Sequence, residues 1–181
     1  MICEHCEELE SDFEGTIIDI ETIGDFARDF SDSRQYSKIR PFIFGFIDGK
    51  GLKIVYAEGN AGMDSLRQKI PALLQGMQRP FYAFNASFEM GVLFHCLGVE
   101  TLFDAELNRE KFEAKRVAVK SLGIPQYDDP FNDNGFLCIE AWQKGEIKKA
   151  VEHNRSCLLK ERDILLKRGC RLPDKLVFAR E

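Results

Sequence analysis

No apolar stretch in this 181-residue chain approaches the ~20 residues that a membrane-spanning helix needs; the longest are Pro41 to Ile47 and Met90 to Leu97. The first residues, MICEHCEELE, are acidic and lack the basic and apolar regions of a secretory signal peptide. Six cysteines are scattered without the regular spacing of a disulfide framework, which suits a reduced, cytoplasmic setting. Cys3-x-x-Cys6 with His5 has half the spacing of a structural zinc site, but no second pair follows. There is no internal repeat and no linker-like segment. A strongly basic composition is missing too, since the net charge is −5.

What is present is an ordinary globular composition, 44% hydrophobic and 30% charged, with 15 Phe and a single Trp. This length fits one domain with a substantial core. The charge is unevenly spread. From Lys144 to Glu181 the net charge is +5, and the remainder carries −10. A metal-dependent phosphodiesterase can carry such a division, because clustered carboxylates need cations and a basic flank can hold phosphates. A C-terminal helix with a solvated basic face would give the same numbers.

Along the chain, residues 1–14 read as a poorly ordered acidic leader, 15–170 as the domain and 171–181 as a tail. Gly15 to Ile20 is short, β-branched and apolar, the pattern of a buried strand. Residues 24–40 read as a long polar loop. Pro41 to Asp48 and Leu52 to Ala57 flank Gly49-Lys50-Gly51, a hairpin signal. Asp64 can cap a helix through about Met77, with Pro71 expected to kink or divide it. Arg79 to Asn85 predicts a strand, and Ala86 to Leu97 a helix stopped by Gly98, with His95 and Cys96 in its core. Helices are further expected over 109–122, 137–144 and 147–168, with a turn-rich loop at 127–135. Asp128, Asp129 and Asp133 in that loop are expected to satisfy its turns and to line the rim of any site. Strands interleaved with helices predict an α/β protein with a mixed sheet of about five strands and helices packed on it.

Two short segments carry chemistry. Asp19-Ile20-Glu21 ends the first predicted strand, where side-chain alternation turns both carboxylates to one side, ~7 Å apart. Two acids so placed repel each other unless a cation lies between them, and Mg2+ or Mn2+ prefers such oxygen ligands. In Phe84-Asn85-Ala86-Ser87-Phe88-Glu89 a strand gives way to a helix, with Glu89 on its first turn. Taken singly, each has an ordinary explanation: a strand running into a solvated loop, and an acid complementing a helix dipole.

Together they resemble the motifs of the DEDD 3′–5′ exonuclease superfamily, whose fold is ribonuclease H-like. Ile17-Ile18-Asp19-Ile20-Glu21-Thr22 is similar to its first motif, and Ala83 to Glu89 to its second, with Glu where Asp is usual. The segment His153-Asn154-Arg155-Ser156-Cys157-Leu158 resembles its third, with His153 at the Tyr or His position and Cys157 where the family has Asp. The resemblance spans about residues 15–168. It implies a sheet with the first predicted strand central and the hairpin beside it. It also implies that Asp19, Glu21 and Glu89 ligate Mg2+ or Mn2+, and that His153, exposed in a cleft, handles the attacking water. The substrate class would be the 3′ end of DNA or RNA. Cys157 breaks the pattern. Glu161 lies one helical turn further, rotated by only ~40°, and is the better replacement ligand; Asp163, rotated by ~240°, faces elsewhere. The lost Asp keeps a second function open, a domain of this fold that binds nucleic acid or protein without cutting. A third, an interaction domain unrelated to nucleic acid, is compatible with the acidic charge.

Overall fold

A computed structural model describes residues 1–180. It is an α/β fold: six strands form one mixed sheet in the order β1-β4-β3-β2-β5-β6, with five helices packed on it. The strands are β1 (Ile2–Glu8), β2 (Thr16–Ile23), β3 (Arg40–Ile47), β4 (Gly51–Ala57), β5 (Phe81–Ala83) and β6 (Ala105–Glu106). The helices are α1 (Gly59–Gly76), α2 (Ala86–Leu97), α3 (Lys115–Ser121), α4 (Gly135–Gln143) and α5 (Ile147–Arg168). Setting β1 aside, the first predicted strand lies at the centre with the hairpin on one side, the order that a ribonuclease H-like sheet requires. β2 is antiparallel to β3 and parallel to β5. No helix among the described residues is long and apolar enough to cross a membrane.

The elements follow from local chemistry. Asp48 turns the β3–β4 hairpin, its Oδ1 accepting from the backbone of Lys50 at 2.8 Å and Gly51 at 3.2 Å. In β2, Ile17 and Ile18 are wholly buried, as a central strand covered on both faces demands. α5 lies across β2, β3 and β4 and also packs on α4. α1 covers the opposite face of β3 and β4.

Several expectations are corrected. Residues 1–14 are not a loose leader, because Ile2–Glu8 pairs along the edge of β4. Glu4 and Glu7 fasten that strand. Glu4 bonds Lys53 at 2.7 Å and also Lys69, and Glu7 receives the Arg155 guanidinium from α5, with one contact at 2.9 Å. The acidity of the segment is therefore the complement of its basic neighbours. The tail is docked as well: Arg171 and Glu106 exchange backbone hydrogen bonds at 2.9 Å, and the Phe178 ring packs at a tilt against Phe94, centroids 5.0 Å apart. α1 begins at Gly59, ahead of Asp64, and passes through Pro71 as a single helix. The helix expected over 109–122 shrinks to Lys115–Ser121, and Glu113 ahead of it is drawn into a partly buried ion pair with Arg168 at 2.6 Å. β6 escaped notice because two residues carry no period.

One glycine sets how closely α5 can approach. Gly45 on β3 stands opposite Asp19 on β2, and a Cβ there would lie 2.0 Å from Asn154 Oδ1 and 3.0 Å from Leu158 Cδ1. Gly45→Ala should therefore destabilise the fold by about 1–3 kcal/mol, the usual cost of overpacking, and push Asn154 off Asp19. Denaturant titration measures the first effect, and Asn154 side-chain amide resonances report the second.

Candidate active site

Asp19 projects from the middle of β2 toward α5, and Glu21 from its C-terminal half. The ladder to β3 slips immediately after Glu21, and such bulges re-aim side chains beside functional sites. Asn154 donates from Nδ2 to Asp19 Oδ2 at 2.7 Å and to the Asp19 carbonyl at 3.3 Å, so α5 is clamped to the strand at the site itself. Glu89 sits on the first turn of α2, nearly buried, and Glu161 on α5 is 0% exposed. Lys115, at the start of α3, reaches into this group. Its Nζ lies 3.0 Å from Asp19 Oδ1 and 2.5 Å from Glu161 Oε1.

The electrostatics are strained. Burial pushes the Glu89 carboxyl well above its ordinary range, and the nearby Asp19 and Glu161 push it further. Burial raises Glu161 as well, against the pull of Lys115. Burial also raises Glu21, offset in part by His153. Burial opposes the charge on Lys115, yet Asp19, Cys157 and Glu161 outweigh it and hold the ammonium well above the usual lysine range. Neither Glu161 oxygen has an aligned hydrogen-bond donor despite the nearby ammonium, and Glu89 Oε2 is likewise unpartnered. Buried carboxylates are costly unless they are paired or protonated, and Lys115 is the cation that lies among these acids.

His153 departs from expectation. Rather than standing exposed in a cleft, it is buried at 2% exposure. Its Nδ1 meets Asp129 Oδ1 at 2.8 Å, which leaves Nε2 facing Cys157 Sγ at 3.8 Å and Glu21 Oε1 at 3.8 Å. Glu21, His153 and Cys157 each offer a ligand atom, all within 4.8 Å of one another. Asp19 and Glu89 do not join that compact group; they lie on the Lys115 and Glu161 side.

Asp129, read from sequence as a turn residue, does more. Its carboxylate accepts from the backbone of Phe131 and Asp133, each at 2.9 Å, and from Lys160 Nζ at 2.7 Å, while holding His153. Lys160 is fully buried and also bonds Asp133 at 2.8 Å. Lys115 and Lys160 were missed. Neither belongs to a local pattern, and only the fold brings them to the acids. Asp163, one face away, bonds Arg162 and Tyr127 outside the group, as its rotation on the helix predicts.

A cleft of about 760 Å3 opens over Glu21 and Lys115. Its walls carry Phe26, 46% exposed, Phe136, 77% exposed, and the solvent-facing Arg116.

None of the protein-family models, curated proteins or solved structures compared with the chain matches it. The likeness to the DEDD exonucleases rests on its own residues.

Asp129 gives a stability test. Burial works to raise its carboxyl, but the His153 imidazole and the Lys160 ammonium hold it below the usual range. Asp129→Asn should cost roughly 3–5 kcal/mol, because it strips a buried lysine of one counter-charge. A carboxyl depressed in the folded state contributes its full stability above its unfolded pKa of ~3.9 and loses it as pH falls through the lower folded value. Asp129 also helps to push the His153 pKa up to about 11, a contribution that is full below ~6.5 and is lost as pH rises toward the folded value. The stability difference between wild type and variant should therefore be largest between about pH 4 and 6.5 and narrow on both sides, as read by urea melts across pH.

Proposed function

We propose that the chain is a divalent-metal-dependent 3′–5′ exonuclease acting on DNA or RNA. The observation that carries this reading is the burial of Glu161 near Asp19 and Glu89, three acids that share the Lys115 ammonium. Three acids around one lysine contribute little to the stability of an interior, and a divalent ion would supply the further positive charge. Asp19, Glu89 and Glu161 would hold Mg2+ or Mn2+, with Glu161 supplying the carboxylate that Cys157 does not. Bound there, the ion would supply Lewis-acid stabilisation of a phosphoryl oxygen and lower the pKa of a bound water.

The protein's own groups have separate tasks. Asn154 fixes the Asp19 carboxylate, and Asp129 fixes the His153 ring. Lys115 holds Asp19 and Glu161 together through its ammonium, the position a cation would contest. The exposed Phe26 and Phe136 offer stacking faces for terminal bases, a sequence-tolerant contact worth about 1–3 kcal/mol per base. Arg116 is placed for backbone phosphate. An open cleft leading to recessed carboxylates suits a chain end better than the middle of a duplex.

End-labelled single-stranded DNA and RNA, incubated with Mg2+ or Mn2+, should shorten stepwise from the 3′ end. Asp19→Asn, Glu89→Gln and Glu161→Gln should each lower the rate by ~10²-fold or more, whereas the solvent-facing Glu152→Gln on the same helix should leave it unchanged. No shortening of either substrate with either metal, by protein shown to be folded, would favour the binding-module alternative. That alternative predicts retention of labelled oligonucleotide without cleavage.

A further inference from the structure

The acids around Lys115 leave Glu21, His153 and Cys157 outside them. We propose that these three side chains form a binding site for a borderline transition-metal ion, Zn2+ above all, through one carboxylate oxygen, one imidazole nitrogen and one thiolate sulfur.

The geometry is close to what such an ion requires. Tetrahedral zinc with ordinary bond lengths separates its N, O and S ligands by about 3.4–3.6 Å. His153 Nε2 stands 3.8 Å from Cys157 Sγ and 3.8 Å from Glu21 Oε1. Closing these gaps needs only small side-chain shifts.

The surroundings prepare the ligands. A metal-bound histidine almost always donates its second ring N–H to a carboxylate that fixes its tautomer. Asp129 does this for His153 at 2.8 Å, and is itself held by Lys160 and two backbone N–H groups. Nε2 is thereby turned toward Cys157 and Glu21, where a bound ion would take the place of its proton. Cys157 is 3% exposed, and His153 is its polar contact. Glu21 borders the cleft, which provides an entry path and leaves room for a water or substrate atom as fourth ligand. A thiolate, a carboxylate and a neutral imidazole balance a divalent charge, and the sulfur selects against Mg2+.

The same line of Cys157, His153 and Asp129 has the order of a nucleophilic triad. Two features oppose that use. The sulfur is buried away from the cleft, and burial drives the thiol up rather than toward the thiolate. A metal ion offsets that penalty directly, whereas an acyl substrate cannot reach it.

The inference goes beyond the nuclease reading, since the ion would bind whether or not the chain cuts nucleic acid. The test uses full-length protein stripped with chelator, carrying Cys3→Ser and Cys6→Ser to remove the N-terminal thiols near His5. Titrated Co2+ should bind with thiolate-to-cobalt charge-transfer absorption saturating at one equivalent, and Zn2+ should bleach it. Cys157→Ser should abolish the band, and His153→Ala should weaken Co2+ binding at least ~10-fold. In case these variants misfold, X-ray absorption on the Zn2+-loaded parent protein should show one sulfur at about 2.3 Å. An all-oxygen and nitrogen shell, or a band that survives Cys157→Ser, overturns the proposal. An active nuclease without a metal–sulfur bond sinks this site alone, and a metal–sulfur bond in a protein that cuts nothing sinks the nuclease alone.

Discussion

The contact on which the rest of this structure depends is the insertion of the Lys115 ammonium between Asp19 and Glu161. Acids brought together in a medium of low dielectric repel strongly, and water is largely excluded from them. With Lys115 alone, the balance stays negative, and burial drives Glu89 and Glu161 toward their protonated forms. The fold tolerates this because other parts hold the group together. Asn154 clamps Asp19, Gly45 clears the space in which Asn154 sits, and α5 carries Asn154 and Glu161 on one rigid element. The acids are thus positioned by contacts that do not depend on their charge balance.

α5 divides the site into two halves. His153, Cys157 and Glu161 recur every four residues, a stripe that advances ~6 Å per step and rotates by only ~40°. The outer two steps meet different partners. Glu161 reaches the oxygen-rich group with Asp19, Glu89 and Lys115, while His153 with Cys157 faces Glu21. Along β2 the same division runs between Asp19 and Glu21. Two carboxylates two residues apart thus serve different neighbours, and the bulge after Glu21 lets the strand end diverge toward the cleft.

Much of the fold was legible from local pattern. The central strand, the hairpin and the last helix could be read from β-branched runs, turn glycines and helical period, and Ile147–Arg168 matches its expected span. The site was legible where sequence neighbours are also spatial ones, Asp19 with Glu21 and His153 with Cys157 and Glu161, and at Glu89 through its motif at a strand-to-helix junction. Lys115 and Asp129 lie far along the chain from their partners; Lys115 fell unremarked inside the helix expected over 109–122, and Asp129 read as a turn aspartate. The burial of His153 was misjudged for a related reason. α5 is rich in charge and read as solvated, yet Lys160 and Glu161 are fully buried. Charged residues inside a protein look identical in sequence to charged residues outside it; only their counter-charges, supplied by Asp129 and Lys115, tell them apart.

Cys157 changes meaning once its surroundings are known. Considered in isolation, a cysteine in place of a carboxylate removes a hard ligand and argues for decay. Decay, however, relaxes the neighbours as well. A site no longer maintained has no use for an aspartate–histidine pair locked by a buried lysine, or for a wholly buried glutamate one turn away. Both features are costly to keep in a protein interior. On the metal reading proposed above, the carboxylate role would pass to Glu161, and the sulfur would work with the imidazole whose Nε2 faces it at 3.8 Å.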